Sequence, residues 1–215
     1  MTESLVNLSL NWVYETSAYL QSSDLPEAAL QTDLIPASVL IPLFHSDGEW
    51  HVLFIRRAAD KRDRHSGQVA FPGGRQDPAD ADPVAAALRE AEEEIALNAA
   101  DVNIVHVLPH YLTSSSYVVT PVIGVVPWPY DYKPHPTEVD RVFSIPLSWL
   151  ADQNNVELRD RSFSLQALSS TTKVVYYKEY DSELLWGASA RMMISFLRSL
   201  QSGEFCLEKL QRSAR

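Results

Sequence analysis

Residues 73–97 read GGRQDPADADPVAAALREAEEEIAL, and the fold turns on how the glycine pair at one end meets the acidic run at the other. Pro83 suits a first helical turn, and Asp82 before it is a natural N-cap. Ala85, Ala86, Ala87 and Leu88 are strong helix formers. The stretch therefore predicts a helix over Pro83–Leu97, with Val84, Leu88, Ala91 and Ile95 on its apolar face. At the helical repeat, Glu94 lies about 40° from Glu90 and Glu93 about 60° to the other side, whereas Glu92 is about 200° away. Glu90, Glu93 and Glu94 thus share one face and repel one another unless something positive sits between them. A hard, oxygen-seeking divalent ion, Mg²⁺ or Mn²⁺, is the natural counter-charge. Arg89 stands one turn before Glu93, where an ion pair can orient that carboxylate. Acidic helix faces are ordinarily just solvated. Here the upstream Gly73-Gly74, which permits a tight turn and close backbone approach to a ligand, argues for a site.

Upstream, Ala37–Phe44 and Trp50–Arg56 are rich in β-formers and flank Ser46-Asp-Gly48, the signature of a hairpin. Arg56 to Phe71 then concentrates positive charge: Arg56, Arg57, Lys61, Arg62, Arg64 and His65 stand against Asp60 and Asp63. Pro72-Gly-Gly74 is expected to break regular structure. Downstream, strands are expected at Val102–Leu108, Val118–Val126, Arg141–Ile145 and Val174–Tyr180. A proline-stiffened loop covers Pro127-Trp-Pro-Tyr130 and Pro134–Pro136, and a closing helix runs from about Glu183 to Leu200. The N-terminal segment from Leu5 to about Gln21 has loosely helical apolar spacing. The expected organisation is an N-terminal helix and connection (residues 1–34) packed on the main domain (35–202), with a tail at 203–215.

The 215 residues hold 18 Lys and Arg against 28 Asp and Glu, a formal charge of −10. So acidic a chain repels nucleic acid and anionic membranes, and a phosphate ligand would need local basic residues or a metal. Cys206 is the only cysteine, which excludes an intramolecular disulfide or a cysteine-built zinc site. With no apolar run long enough to span a bilayer and no basic leader, the expectation is a cytoplasmic protein; a homodimer is left open. The histidines are scattered, Ser114–Ser116 lacks the glycines of a nucleophile elbow, and Trp186 reads as packing. Glu138 or Glu179 is a candidate extra carboxylate.

Gly73-Gly74 together with Arg89-Glu-Ala-Glu-Glu-Glu-Ile-Ala-Leu97 resembles the Nudix box, G-x5-E-x7-R-E-U-x-E-E-x-G-U with U apolar. Arg89, Glu90, Ala91, Glu93, Glu94 and Leu97 match its second half. Ala96 replaces the box glycine, a change that a continuing helix would tolerate. The loop is one residue longer than the pattern, leaving Asp80 or Asp82 as the equivalent of the first box glutamate. Arg57, Gly67 and Phe71-Pro-Gly-Gly74 are similar to the signature of the coenzyme A diphosphatase branch, with Arg62 or Arg64 as its second arginine. Trp186-Gly-Ala-Ser-Ala-Arg-Met192 resembles a further segment of that branch.

The resemblance implies an α+β fold, the Nudix α/β/α sandwich with a mixed sheet between helices. It implies a pyrophosphohydrolase cleaving coenzyme A or acyl-CoA to 3′,5′-ADP and (acyl-)4′-phosphopantetheine. Arg89, Glu90, Glu93 and Glu94 would be catalytic, and the three glutamates would hold Mg²⁺ or Mn²⁺. Arg57, Arg62, Arg64, Gly73 and Gly74 would bind the substrate. The alternatives are an NADH or ADP-ribose pyrophosphatase and a catalytically silent nucleotide sensor.

Overall fold

The computed structural model describes residues 34–60, 65–165 and 168–207. The helix expected at Leu5–Gln21 lies outside them. The first hairpin pairs β1 (Ile35–Ser46) with β2 (Glu49–Arg57). Asp47 and Gly48 both take positive φ at its turn, the pattern that matches a tight hairpin to strand twist. β1 is central, paired in parallel with β7 (Tyr117–Val125) on its other side. Buried on both faces, it reads as an almost unbroken apolar run. The remaining strands complete a mixed eight-stranded sheet: β3 (Val69–Ala70), β4 (Gly73–Arg75), β5 (Asn103–Val107), β6 (Tyr111–Leu112) and β8 (Val139–Pro146). β9 (Val156–Leu165) and β10 (Leu168–Tyr177) form a separate antiparallel ribbon.

Helix α1 (Pro83–Ile95) covers one face of the sheet. Its Ala87, Ala91 and Ile95 pack against Leu40, Phe44, Leu53, Ile55 and Val122. The other face is covered by α2 (Leu147–Ala151) and α3 (Gly187–Gln201), with Met193, Phe196 and Leu197 against Ile41, Leu43, Val52 and Phe54. These are the layers of an α/β/α sandwich. Beyond α3 the chain still packs: Phe205 stacks against His106, and Leu207 is buried. Among the described residues, no helix is long and apolar enough to cross a membrane.

Several expectations are corrected. Gly73-Gly74 does not break regular structure, because β4 pairs with β1 through Ala37↔Arg75, Ser38↔Gly74 and Val39↔Gly73. Only glycine fits at 73, where φ is 154° and a Cβ would fall 2.4 Å from the Ser38 carbonyl oxygen. α1 buries Ala86, Ala87, Ala91, Glu94 and Ile95, leaving Leu88 partly exposed. Its small residues let the helix settle against the sheet on the alanine side. The closing helix begins at Gly187, not Glu183, because Glu183 is drawn into a buried ion pair before the helix can start.

Asp82 caps α1 as expected, its side chain accepting from Ala85 N. Ala96 is different. The helix ends before it, and Ala96 takes the left-handed conformation at φ 56°, ψ 33°, its N–H closing onto Ala91 and Glu92 carbonyls. Left-handed backbone crowds Cβ against the following carbonyl, so alanine is strained where glycine would not be. Ala96→Gly should therefore stabilise the fold by about 1 kcal/mol, raising Tm by about 2–4 °C. An unchanged or lower melting temperature would show that the chain relaxes around the alanine at no cost.

Candidate active site

β4 lies over the flank of α1, and its two glycines meet two carboxylates. The Gly73 amide donates to Glu94 Oε2 at 2.9 Å. At Gly74 a Cβ would stand 2.5 Å from Glu90 Oε2, so any side chain there would strike that carboxylate. The glycine pair and the acidic helix are one contact surface. Glu94 is 2% exposed. Burial pushes its carboxyl up to about 8, Glu90 and Glu138 push the same way, and the Gly73 amide and Arg57 pull back. Burial also raises Glu90, with Arg89 opposing and Glu93 and Glu138 adding to the effect.

Arg89 bolts this arrangement together. Its Nε and Nη2 each lie 3.0 Å from Asp80, Nη2 donates to the Arg75 carbonyl at 2.9 Å, and Nη1 lies 2.9 Å from Glu90 and 3.1 Å from Glu93. The bond to Asp80 leads in holding Arg89 protonated, and the same bond leads in holding Asp80 below the usual carboxylate range. Asp80 and Asp82 are thereby distinguished: Asp80 reaches the site, and Asp82 caps the helix.

The structure brings Glu90 and Glu94 together under β4. Glu93 pairs with Arg89 toward solvent, its side chain more than half exposed. Among the described residues no three metal-binding side chains are already gathered into a cage. The chemistry of the donor set nevertheless fits a hard divalent ion. Two all-oxygen donors lie shielded from water, and a third carboxylate, Glu138, acts on both. Glu138 is the one of the two candidate extra carboxylates whose charge reaches Glu90 and Glu94. It follows a loop whose His135 amide donates to the Glu94 carbonyl at 2.8 Å.

Arg57 Nη1 stands 3.8 Å from Glu94 Oε1, on the α1 side of the sheet. Arg62 and Arg64 lie outside the described residues. Arg56 points the other way, its Nε 2.8 Å from Asp140 and its Nη1 2.8 Å from Glu183. The basic segment is thus divided by strand alternation at its first two residues, and Arg56 belongs to a structural cluster with Arg141, Asp140, Asp181 and Glu183. Trp186 stacks on Tyr176, as packing.

The NUDIX domain family matches residues 34–168. The mouse peroxisomal coenzyme A diphosphatase NUDT7 is 37% identical over 139 residues, which make up 65% of this chain and 58% of that protein. The Yersinia pestis (strain Pestoides F) Nudix hydrolase NudL, described as uncharacterized, is 34% identical over 160 residues, 73% of this chain and 75% of its own. Among solved structures, a MutT/nudix family protein from Enterococcus faecalis superposes with a TM-score of 0.49 at 15% identity, covering 88% of this chain and 67% of that one.

A buried acid held above its ordinary pKa of 4.5 costs stability once ionised. In metal-free protein the unfolded Glu94 ionises first as pH rises through about 4.5, and the folded one follows only near 8. Stability contributed by the protonated form is therefore lost progressively across that window. Glu94→Gln, in EDTA, should melt above wild type at pH 8, and the gap should close by pH 5. A gap that does not vary with pH would place the strain elsewhere.

Proposed function

Because the chain belongs to the NUDIX family, we propose that it is a divalent-metal-dependent pyrophosphohydrolase acting on coenzyme A or its acyl esters. Water adds to one phosphorus of the diphosphate and the bridging P–O bond breaks, giving 3′,5′-ADP and (acyl-)4′-phosphopantetheine. The observation that carries the reaction is the pair of shielded carboxylates, Glu90 and Glu94, pressed against the Gly73-Gly74 strand. The substrate reading is supported by the 37% identity to a protein named as a coenzyme A diphosphatase, and by Arg57, Gly67 and Phe71-Pro-Gly-Gly74.

Glu90 and Glu94, with Glu93 at the rim, would hold Mg²⁺ or Mn²⁺. When bound, such an ion offsets the charge of the pyrophosphate and acidifies bound water. The rest of the work falls to the chain itself. Arg89 fixes the Glu90 carboxylate and ties the Asp80 loop to the helix. The Gly73 amide fixes Glu94 Oε2. Arg57, beside Glu94, offers a guanidinium to an oxygen of the diphosphate, where its planar fork suits the geometry. Arg62 and Arg64 are left for the 3′-phosphate, the group that distinguishes coenzyme A from its dephospho form.

Purified protein with Mg²⁺ or Mn²⁺ should release 3′,5′-ADP from coenzyme A, and EDTA should stop it. Faster turnover of NADH or ADP-ribose would move the substrate assignment. No turnover of any of the three would favour a nucleotide sensor. Glu90→Gln or Glu94→Gln should lower kcat by about 10²–10⁴, because the lost stabilisation belongs mainly to the transition state. Glu92→Gln, exposed on another face, should have little effect, and damage equal to that of Glu94→Gln would refute the geometry.

The arginines make a separate comparison. Arg57→Ala should impair coenzyme A and dephospho-coenzyme A alike, whereas neutralising Arg62 or Arg64 should erase the preference between them. The loss expected for a charged hydrogen bond is about 1–3 kcal/mol. If neither Arg62 nor Arg64 alters that preference, the 3′-phosphate is read elsewhere.

A further inference from the structure

The loop leaving β7 carries Trp128, Tyr130 and Tyr132 within five residues. Together with Leu53 from β2 and Val142 and Ser144 from β8, they line a cavity of about 390 Å³. That volume lies within the range of small-molecule sites. We propose that this cavity holds the adenine base of the substrate, stacked on Trp128. The inference rests on the reading of the chain as an adenine-nucleotide pyrophosphohydrolase and adds the place where the base is recognised.

The walls suit a planar ring. Phe44 stacks on His51 at 5.1 Å and 7°, and Trp128 stacks on Phe44 at 4.0 Å and 13°. Phe44 is thus nearly parallel to both His51 and Trp128, and beyond them Tyr132 meets Trp128 only obliquely, with centroids 6.5 Å apart at 33°. Trp128 is nevertheless 45% exposed, and among the described residues only it and Val107 are large apolar side chains left so open. Another flat π-system would continue the stack, and base–aromatic stacking needs no particular sequence of atoms. Tyr130 and Tyr132 pack together with centroids 4.9 Å apart.

A polar feature points the same way. The Tyr132 hydroxyl is buried and, among the described residues, has no hydrogen-bond partner. An unpaired buried donor is costly, and a ligand acceptor would relieve it. Adenine presents ring nitrogens as acceptors, so it can meet both the stacking surface and the orphan hydroxyl.

The cavity also lies at a useful distance from the carboxylates. On β8, Ser144 is opposite Leu53 and Val139 is opposite Arg57. Leu53 and Arg57 are four residues apart on the same face of β2, hence about 13 Å apart, comparable to the length of a nucleoside 5′-diphosphate. The same loop is then clamped to the end of α1. Tyr130 accepts from the Asn98 amide at 3.0 Å, and the Lys133 and His135 amides donate to the Ile95 and Glu94 carbonyls at 3.0 and 2.8 Å. The aromatic wall is therefore held in a fixed relation to Glu94. Coenzyme A, NADH and ADP-ribose all contain adenine and differ in the other half, so the proposal does not depend on which of them is preferred.

The test is calorimetric binding of AMP and of 4′-phosphopantetheine to the full chain in EDTA, alongside melting curves. AMP should bind at sub-millimolar to millimolar concentration. Trp128→Leu should weaken AMP by about tenfold or more and Trp128→Phe should recover most of that loss, while phosphopantetheine binding changes by less than about twofold. Tyr132→Phe should weaken AMP several-fold while leaving Tm unchanged or higher, since it removes the orphan hydroxyl. The proposal is overturned if AMP does not bind, if Trp128→Leu leaves AMP unaffected, or if phosphopantetheine is the ligand that suffers. Hydrolysis is scored separately. Absence of turnover with Trp128-dependent AMP binding would sink the enzymatic reading and keep the base site, and turnover with AMP binding insensitive to Trp128 would do the reverse.

Discussion

The contact between β4 and α1 is the constraint on which the site depends. A strand can lie this close to a helix only without side chains at 73 and 74, and the closeness puts a backbone amide on Glu94 and partly shields Glu90 from water. Glycine thereby does more than permit a turn. It sets the dielectric environment of two carboxylates, and burial is the leading cause of the raised pKa of both. Substituting either glycine would change the electrostatics of the helix as well as its packing.

Such crowding of negative charge has to be held in place, and Arg89 does this by geometry rather than by simple neutralisation. One guanidinium satisfies Asp80, Glu90, Glu93 and a main-chain carbonyl at once, locking the loop after β4 to the helix. A lysine could supply the charge but not the fork. On the far side of the sheet, buried Glu183 plays the converse role, gathering Arg56 and Arg141 to tie β2 and β8 to the turn before α3. The two networks are separated by the sheet, and the alternation of Arg56 and Arg57 along β2 assigns one arginine to each.

What the sequence made legible was local. The Asp82 cap, the proline in the first turn and the alanine run mark α1 because their effects act within one helical turn. The apolar pattern and Asp47-Gly48 likewise reveal the first hairpin. Features that depend on distant partners were hidden. β4 looks like a breaker until β1 is beside it, and β9, with Glu157, Arg159 and Asp160, has no apolar signature and exists by pairing with β10. Helical geometry placed three glutamates on one face, yet only the overlying strand decides that Glu94 is buried while Glu93 faces solvent. Ala96 shows the same limit, since its alanine is tolerable within a helix and strained at the left-handed position where this helix stops. The residues 127–132 were visible as a proline-stiffened loop, but their density of aromatic rings was the signal that a wall, rather than a linker, was being built.

Under the proposed function, a chain of charge −10 gathers carboxylates at the place where a pyrophosphate would react, and this sets an electrostatic condition. Arg89 is committed to Asp80, Glu90 and Glu93, and Arg57 stands at 3.8 Å from Glu94, beyond direct hydrogen-bond length for that pair. Among the described residues, this one further guanidinium cannot offset both the Glu90–Glu94–Glu138 group and the two charges of a diphosphate. Under the proposed function the cation is therefore the element that makes the two anions compatible, and its binding cannot be independent of the substrate's. Because coupling between two ligands is reciprocal, whatever factor the cation contributes to substrate affinity, the substrate contributes to cation affinity. Weak cation binding by the free protein is then the expected consequence of a site where burial raises the pKa of both carboxylates and so opposes their charged forms. Tight binding is expected only when the diphosphate supplies the remaining oxygens.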